Sequence, residues 1–190
     1  MSETTVCPWW LGSTLNNKAR RVLHNPEKIF NKFVKPGMTV MDVGCGMGFL
    51  TIPLAKMVMP GGRVIAVDLQ EKMLQGMRGY AQKEAVLEQI IPHKCNKDSL
   101  DLNNYRSSVD FAVLFMMLHE VPDAKKTIAE VAEAIVPGGA VLFAEPIFHV
   151  PGKIFEHSLD IFKKAGFQVQ AQPSIRICRS ALLVKSGINC

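Results

Sequence analysis

The sequence of 190 residues contains no apolar run near the roughly 20 residues that a membrane-spanning helix requires. Its first residues, Met1 to Thr5, show neither the cationic stretch nor the apolar stretch of a secretory signal. We therefore expect a protein without a membrane span, located in the cytoplasm.

Paired cysteines are also lacking. The five cysteines, an odd number, are dispersed along the chain and never stand in Cys-x-x-Cys spacing. That arrangement argues against a disulfide framework and against a zinc site. We predict no metal site, and a reducing compartment is the simplest setting for the free thiols.

A concentrated basic region is missing too, although the formal net charge is +5. The only tight run of cations is Lys18-Ala19-Arg20-Arg21, and no nucleic-acid-binding motif accompanies it. We interpret the charge as a solvated basic surface. A nucleic-acid partner stays open as the alternative, and no oligomeric state is predicted.

Short apolar runs rich in β-branched residues alternate with segments of helical periodicity. This alternation is typical of βαβ units and predicts a single doubly wound, Rossmann-like α/β domain with a mostly parallel sheet. The predicted strands are 38–43, 63–67, 90–94, 109–115 and 140–145, followed by 168–172 and 176–185. The last two flank Pro173-Ser174 and are expected to pair in antiparallel fashion, which gives seven strands with a closing antiparallel strand.

The predicted helices are 25–33, 49–59, 70–83, 123–135 and 152–165, with Asn25 and Asp123 as capping residues. Residues 1–24 precede the first βαβ unit, and we interpret them as an appendage to a domain that spans 25–190. Trp9 and Trp10 in that appendage suggest a lid over the active site, with packing against the core as the alternative.

A glycine loop, Asp42-Val43-Gly44-Cys45-Gly46-Met47-Gly48, joins a predicted strand to a predicted helix. Glycines in such a loop let the backbone turn sharply and approach a ligand closely. The last two glycines are two positions apart, whereas the dinucleotide fingerprint separates them by three. An anion at Asp42 would repel a pyrophosphate and suits a ligand with a cationic amine or sulfonium. The loop thus disfavours an NAD-dependent dehydrogenase.

Asp68 ends the second predicted strand, 24 positions after Gly44. A carboxylate at that place can accept hydrogen bonds from both ribose hydroxyls of an adenosine ligand. A capping aspartate is the alternative, since a predicted helix follows. With the glycine loop upstream, we favour ribose binding.

These motifs, in this order, resemble those of the class I S-adenosylmethionine-dependent methyltransferases. The family's first motif matches Val40 to Gly48, its acidic second-strand motif matches Val64 to Asp68, and its Pro-Gly-Gly turn matches Pro137 to Gly139. The segment 111–121 is similar to the small-molecule branch that includes the quinone-biosynthesis enzymes. The resemblance implies S-adenosyl-L-methionine as the methyl donor and S-adenosyl-L-homocysteine as the product.

The resemblance also implies a set of contacts to the methyl donor. Leu69 and Met73 would pack on the adenine, and Phe115 would line the methionine side. The acidic residue that the family often places near the adenine amino group aligns with Asn96, so this contact stays open between Asn96 and Asp98. The full implied set is Asp42, Gly44, Cys45, Gly46, Gly48, Asp68, Leu69, Met73, Asn96, Asp98 and Phe115.

Methyl transfer from a sulfonium requires positioning, exclusion of water and, for some acceptors, removal of a proton. His119 follows the fourth predicted strand and Glu145 ends the fifth, so both are expected at the carboxyl edge of the sheet, where ligands bind. His119 is the candidate base, with a structural histidine as the alternative. Glu145 is a candidate for orienting a substrate or accepting a proton, with a loop-stabilising role as the alternative.

The favoured hypothesis is methyl transfer to a small molecule, with an aromatic or quinone-like compound as the acceptor. Methylation of RNA or protein stays open, although the tetrapeptide (Asp/Asn)-Pro-Pro-(Tyr/Phe) of many N-methylating enzymes is replaced by Phe115-Met116-Met117-Leu118. A third hypothesis is a binding module without turnover, because the motifs indicate a cofactor and not a reaction.

Overall fold

The computed structural model describes residues 18–187, with seven strands and six α-helices in that part of the chain. The strands are β1 (Thr39–Val43), β2 (Arg63–Asp68), β3 (Ile90–Lys94), β4 (Val109–Phe115), β5 (Ile135–Pro146), β6 (Phe167–Ala171) and β7 (Cys178–Lys185). The helices are α1 (Lys18–Leu23), α2 (Pro26–Phe30), α3 (Thr51–Met57), α4 (Glu71–Lys83), α5 (Ala124–Ala134) and α6 (Gly152–Lys164). Among these described helices, none is long and apolar enough to cross a membrane.

The described part of the chain forms two compact units, divided between Cys95 and Asn96. In the first unit, the three parallel strands lie in the order β3-β2-β1. β1 and β2 are nearly continuous apolar runs, and Val40 and Ala66 are fully buried. Such runs suit parallel strands that are covered on both faces. Both α3 and α4 pack against β2, which provides part of that cover.

In the second unit, the strands lie in the order β4-β5-β7-β6. β4 and β5 are parallel, whereas β7 is antiparallel to both of its neighbours. The prediction of a seven-stranded, mostly parallel sheet with a closing antiparallel strand is therefore confirmed. Four aromatic rings anchor α6 to the strands, because Phe143 stacks on Phe155 at 5.0 Å and Phe162 packs edge-on against Phe167 at 5.7 Å.

Both predicted caps are confirmed. The Asn25 side chain accepts a hydrogen bond of 2.9 Å from the backbone N–H of Lys28, and α2 follows with proline at its first turn. Asp123 accepts an equivalent bond of 2.9 Å from the N–H of Lys126 and begins α5. These local bonds explain why both helices begin where the sequence predicts.

The segment Pro137 to Gly139 differs from the prediction of a turn that precedes the fifth strand. β5 begins at Ile135, which pairs with Val109, and the register then shifts so that Phe111 pairs with Ala140. The Pro-Gly-Gly segment is therefore an irregularity inside the strand. A Cβ on Gly139 would lie 2.9 Å from the carbonyl oxygen of Asp110, so the close approach of the strands requires glycine there.

The predicted appendage, residues 1–24, is described only from residue 18 onward. In α1, the guanidinium carbon of Arg20 lies 4.4 Å from the ring centroid of Phe49, within cation–π range. Trp9 and Trp10 lie outside the described residues. The lid, and the division into an appendage and a domain of 25–190, stay predictions.

Candidate functional site

The glycine loop follows β1 in a chain of turns held by backbone hydrogen bonds. The N–H groups of Gly44 and Cys45 both donate to the carbonyl of Val67, at 2.9 and 3.0 Å. Gly44, Gly46 and Gly48 have φ values of 74°, 54° and 88°, in the left-handed region that favours glycine. The loop is thus fixed against the end of β2, as the sequence predicts for a ligand-binding turn.

The glycines at 46 and 48 serve different purposes. A Cβ on Gly46 would meet no atom within 4 Å, so this part of the loop has open space beside it for a ligand. A Cβ on Gly48 would lie 2.8 Å from Cγ of Met77, so Gly48 is needed for packing against α4. α3 begins at Thr51, later than the predicted residue 49, because residues 45–48 form a turn closed by the Gly48 N–H.

Asp42 lies at the end of β1 and is only 2 % exposed. Its carboxylate accepts a hydrogen bond of 2.6 Å from the hydroxyl of Thr51, a residue that the sequence did not single out. Burial raises the pKa of Asp42 from 3.8 to about 6, against the opposing effect of the Thr51 hydrogen bond, and the nearby Asp68 raises it further. A cation placed beside this carboxylate would be strongly favoured.

Asp68 at the end of β2 ties the glycine loop to the next helix. Its two oxygens accept hydrogen bonds from the N–H of Gly46 at 2.9 Å and of Gln70 at 2.8 Å. Burial raises the pKa of this carboxyl, and the two backbone donors oppose that shift. Gln70 precedes the helix as its N-cap residue and the helix has no side-chain cap, so Asp68 fixes the loop before α4 and does not cap the helix. Because each oxygen has a second lone pair, ribose binding is compatible with these bonds and stays a prediction.

Cys45 is buried within the loop at 5 % exposure. Burial raises the pKa of its thiol well above 9.0, and the carboxylates of Asp42 and Asp68 raise it further. A neutral, buried thiol fits a packing residue rather than a nucleophile. In the same unit, Met73 is buried in α4 and Leu69 is half-buried. Their predicted contacts with the methyl donor stay predictions.

The second unit begins with the segment that holds the two predicted adenine contacts, Asn96 and Asp98. The N–H of Asn96 donates to the carbonyl of Ser99 at 2.9 Å, which closes a tight turn with both side chains exposed. Glu130 of α5 accepts hydrogen bonds from the Ser99 hydroxyl and from the Leu100 N–H, and so fixes this turn. No sequence pattern marked Glu130, because the bonds span about 30 residues.

The two candidate catalytic residues are brought together. Glu145 is the penultimate residue of β5 with its side chain 2 % exposed, and its Oε2 lies 2.6 Å from Nδ1 of His119. Oε1 of the same carboxylate accepts the backbone N–H of His119 at 3.2 Å. Because an ionised carboxylate only accepts, Nδ1 of the neutral ring carries the proton and Nε2 has a free lone pair. Glu145 thus orients His119 through both its ring and its backbone.

The surroundings of His119 set its protonation. The hydrogen bond with Glu145 raises the pKa of His119 above 6.5, partial burial opposes that shift, and the charges of Glu145 and Glu120 raise the pKa further. Nε2 lies 4.0 Å from a carboxylate oxygen of Glu120. His149 stacks on the His119 ring with centroids 6.2 Å apart and planes 9° apart.

The turn between β4 and His119 has an unusual backbone. Phe115, the last residue of β4, is 6 % exposed, and its predicted contact with the methyl donor stays a prediction. Met116, which follows, has a φ of 57°, a conformation uncommon for a residue other than glycine. Its N–H donates to the carbonyl of Ala144 at 2.7 Å, so the turn is held against β5. No sequence pattern predicts this conformation.

Among residues 18–187, no group of three or more metal-binding side chains could hold a metal ion. The described groups instead provide two kinds of chemistry. In the first unit, two buried carboxylates flank an open glycine loop and suit a ligand with cationic and hydroxyl groups. In the second unit, a histidine oriented by a carboxylate suits proton transfer.

Comparison with known sequences agrees with the methyltransferase resemblance of the sequence motifs. A family profile described as a methyltransferase domain matches residues 34–171. A demethylmenaquinone methyltransferase of Symbiobacterium thermophilum is 30 % identical over 174 residues, which are 81 % of this chain and 67 % of the relative. A demethylmenaquinone methyltransferase of Lactobacillus johnsonii is 37 % identical over 121 residues, 60 % of this chain. That alignment spans 47 % of the relative, about half of its length.

Solved structures extend the comparison to the fold. A structure described as a SAM dependent methyltransferase from Aquifex aeolicus has a TM-score of 0.83 and 26 % identity, and the match covers 94 % of this chain and 99 % of that one. The [4+2]-cyclase SpnF has a TM-score of 0.70 and 14 % identity, with 90 % and 82 % covered. The second match shows the fold alone, and it illustrates that one fold carries different reactions.

Proposed function

Because the chain belongs to the class I S-adenosylmethionine-dependent methyltransferase family, we propose that it transfers a methyl group from S-adenosyl-L-methionine to a small, quinone-like acceptor. The observation that carries the proposal is the pair of buried carboxylates, Asp42 and Asp68, around a glycine loop with open space beside Gly46. The relatives named demethylmenaquinone methyltransferases support the choice of acceptor.

The residues of the first unit fit the methyl donor. Asp42 is buried with a raised pKa, so an ammonium or sulfonium nearby would favour its ionised form. Asp68 would accept the ribose hydroxyls through the lone pairs that Gly46 and Gln70 leave available. When bound, the cofactor supplies a methyl group that is already activated. The missing Cβ at Gly46 lets the backbone approach the ligand.

His119 would act on the acceptor as a base, with Glu145 as the residue that orients it. A hydroquinone-like acceptor loses an O–H proton as its nucleophilic atom forms a bond to the methyl carbon. Nε2 of His119 would take that proton, and the carboxylate of Glu145 would stabilise the resulting imidazolium through the 2.6 Å bond to Nδ1. The methyl donor, held by Asp42 and Asp68, would supply the methyl group and would leave as S-adenosyl-L-homocysteine, with the electron pair of the former carbon–sulfur bond on its sulfur.

The direct test is methyl transfer to a reduced demethylated naphthoquinone by the purified chain. We expect a methylated product and an equal amount of S-adenosyl-L-homocysteine, both measured by mass spectrometry with a labelled methyl donor. Omission of the acceptor is the control for slow hydrolysis. Binding of S-adenosyl-L-homocysteine without turnover on the naphthoquinone, on RNA or on protein would instead favour the module without catalysis.

The cytoplasmic location and the preference for a small molecule over nucleic acid are also proposals. They are supported by the dispersed cysteines, by the lack of clustered cations in the sequence and by the names of the relatives. Cell fractionation and an RNA-binding assay at increasing salt would test them.

A further inference from the structure

Five large apolar side chains in the described part of the second unit are exposed, and four of them lie outside the strands. Phe148 is 79 % exposed, Ile154 53 %, Ile147 40 % and Ile177 37 %. They lie on the segment between β5 and α6, on the first turn of α6, and on the residue before β7. We call Ile147, Phe148, Ile154 and Ile177 the apolar patch. Ile147 and Phe148 are consecutive, and the backbone of Ile147 is hydrogen-bonded to that of Ile177. Exposed apolar residues that adjoin in this way mark an interaction surface more often than a solvated face.

The backbone of the apolar patch is held firmly. The pairing of β5 with β7 reaches Pro146 and Cys178, and beyond it the N–H of Ile147 donates to the carbonyl of Ile177 at 3.0 Å. The guanidinium of Arg179 donates to the carbonyl of Val150 at 2.8 Å, and Val150 is buried at 3 % exposure. The two segments are therefore tied together, and the exposed side chains are presented by an ordered backbone.

Cations flank the apolar patch. Lys153 and Arg176 are exposed, and each is next in sequence to an isoleucine of the patch. Arg179 is half-buried beneath the same segment, and Glu156 is the exposed acid on the first turns of α6. Residues 172–179 contain no acidic residue. Two exposed cations and one exposed acid, with Arg179 beneath them, make this surface complementary to negative charge.

We propose that the apolar patch docks on an anionic membrane surface, with Phe148 and Ile147 entering the interface and Lys153 and Arg176 contacting lipid headgroups. Exposed aromatic and aliphatic side chains bordered by lysine and arginine are the features of a segment that lies in a membrane interface. The purpose of docking rests on the proposed function, because a quinone-like acceptor is lipid-soluble. The binding itself requires neither methyl donor nor acceptor.

The test is co-sedimentation of the full chain with vesicles made of equal parts phosphatidylcholine and phosphatidylglycerol, without any methyl donor or acceptor. We expect Phe148→Ser to lower the partition coefficient about tenfold, the loss of one inserted aromatic side chain. Val22→Ser, at 78 % exposure in the first unit, and Val169→Ser, at 37 % exposure on β6, are matched controls and should leave binding unchanged. Thermal unfolding checks that each variant folds.

A second set of variants tests the charged residues around the apolar patch. Lys153→Gln with Arg176→Gln should weaken binding to the anionic vesicles and leave binding to phosphatidylcholine alone unchanged, whereas Lys125→Gln on α5 should have no effect. The proposal is overturned if the chain does not sediment with vesicles, or if Phe148→Ser binds them as tightly as the unaltered chain. Self-association that depends on Phe148, without vesicle binding, would assign the patch to a second copy of the chain instead. Failure of methyl transfer leaves this assay unaffected, so the two proposals fail separately.

Discussion

The two units organise their candidate functional groups in different ways. In the first unit, Asp42 and Asp68 are buried strand-end carboxylates, and the backbone N–H groups of the glycine loop donate to the carbonyl of Val67 and to the carboxylate of Asp68. In the second unit, His119 is oriented by a single side chain, Glu145, 26 residues away. The first arrangement suits the binding of a ligand, and the second suits the transfer of a proton. Substitutions should therefore separate binding from chemistry.

The largest expected effect is the loss of cofactor binding in the first unit. Asp68→Ala removes the acceptor for two predicted ribose hydroxyls, and hydrogen bonds to a charged group contribute about 1.5–3 kcal/mol each. We expect the Kd for S-adenosyl-L-homocysteine, measured by calorimetry, to rise more than a hundredfold.

A matched control for Asp68 exists in the second unit. Asp123 accepts a backbone N–H at the start of α5, whereas Asp68 accepts one just before α4, so Asp123→Ala should cost about 1 kcal/mol of stability and leave binding intact. If both variants lose stability equally and Asp68→Ala still binds the ligand with unchanged Kd, Asp68 only stabilises the loop and the comparison between the units fails.

The next effect in size is the loss of turnover in the second unit. His119→Asn removes the predicted base, and general base catalysis contributes about 10²–10⁴ in rate. We expect kcat for methyl transfer to fall at least a hundredfold while the Kd for S-adenosyl-L-homocysteine stays unchanged. His149→Asn, which alters a ring stacked at 6.2 Å, is the control and should reduce kcat far less. Equal loss in both variants would indicate a structural role for His119.

Sequence reasoning reached further in the first unit than in the second, and the contacts explain why. The glycine loop and Asp68 can be found from the spacing of nearby residues. The reason is that glycines in the left-handed region and an acidic residue at a strand end are local features of the sequence. The strand at 90–94 and the strand at 109–115 were predicted with the observed bounds. Local patterns thus carried the fold and the binding loop.

What the sequence could not provide are contacts between distant residues. The Thr51 hydroxyl on Asp42, the Glu130 bonds to residues 99–100 and the left-handed Met116 leave no periodic trace. The start of β5 was also missed, because Ile135 pairs with Val109 before the Pro-Gly-Gly irregularity. His119 and Glu145 were both candidates, and only the structure joined them.

An intermediate effect is expected from acidification of the first unit. The pKa of Asp42 is about 6 in the folded chain and near 3.8 when unfolded. A cationic donor binds the ionised form, so we expect the affinity for S-adenosyl-L-methionine to fall about tenfold between pH 7 and pH 5. Asp42→Asn should bind weakly at every pH and lack most of this dependence. A Kd that does not change with pH in the unaltered chain would contradict the role of Asp42.

Ionisation of Asp42 should affect the stability of the ligand-free chain in the opposite direction from its effect on cofactor binding. A carboxyl whose folded pKa is raised contributes stability that is present below its unfolded pKa and is lost as the pH rises through the folded value. For Asp42 that window extends from about pH 4 to about pH 6. As the pH rises through this window, the ionisation of Asp42 should lower the thermal stability of the ligand-free chain while it improves cofactor binding. Asp42→Asn should remove this loss of stability.

The smallest expected effect is a displaced pH profile in the second unit. The pKa of His119 is raised above 6.5. The hydrogen bond with Glu145 has the largest effect, and the charge of Glu120 has a smaller one. If neutral His119 is the base, kcat/KM should rise as the pH passes through the raised pKa of His119. Glu145→Gln should move the inflection to lower pH, and Glu120→Gln, whose carboxylate lies 4.0 Å from Nε2, should move it less. If Glu120→Gln moves the inflection and Glu145→Gln does not, the 2.6 Å bond does not set the pKa of His119. The role of Glu145 would then be limited to its hydrogen bond with the backbone N–H of His119.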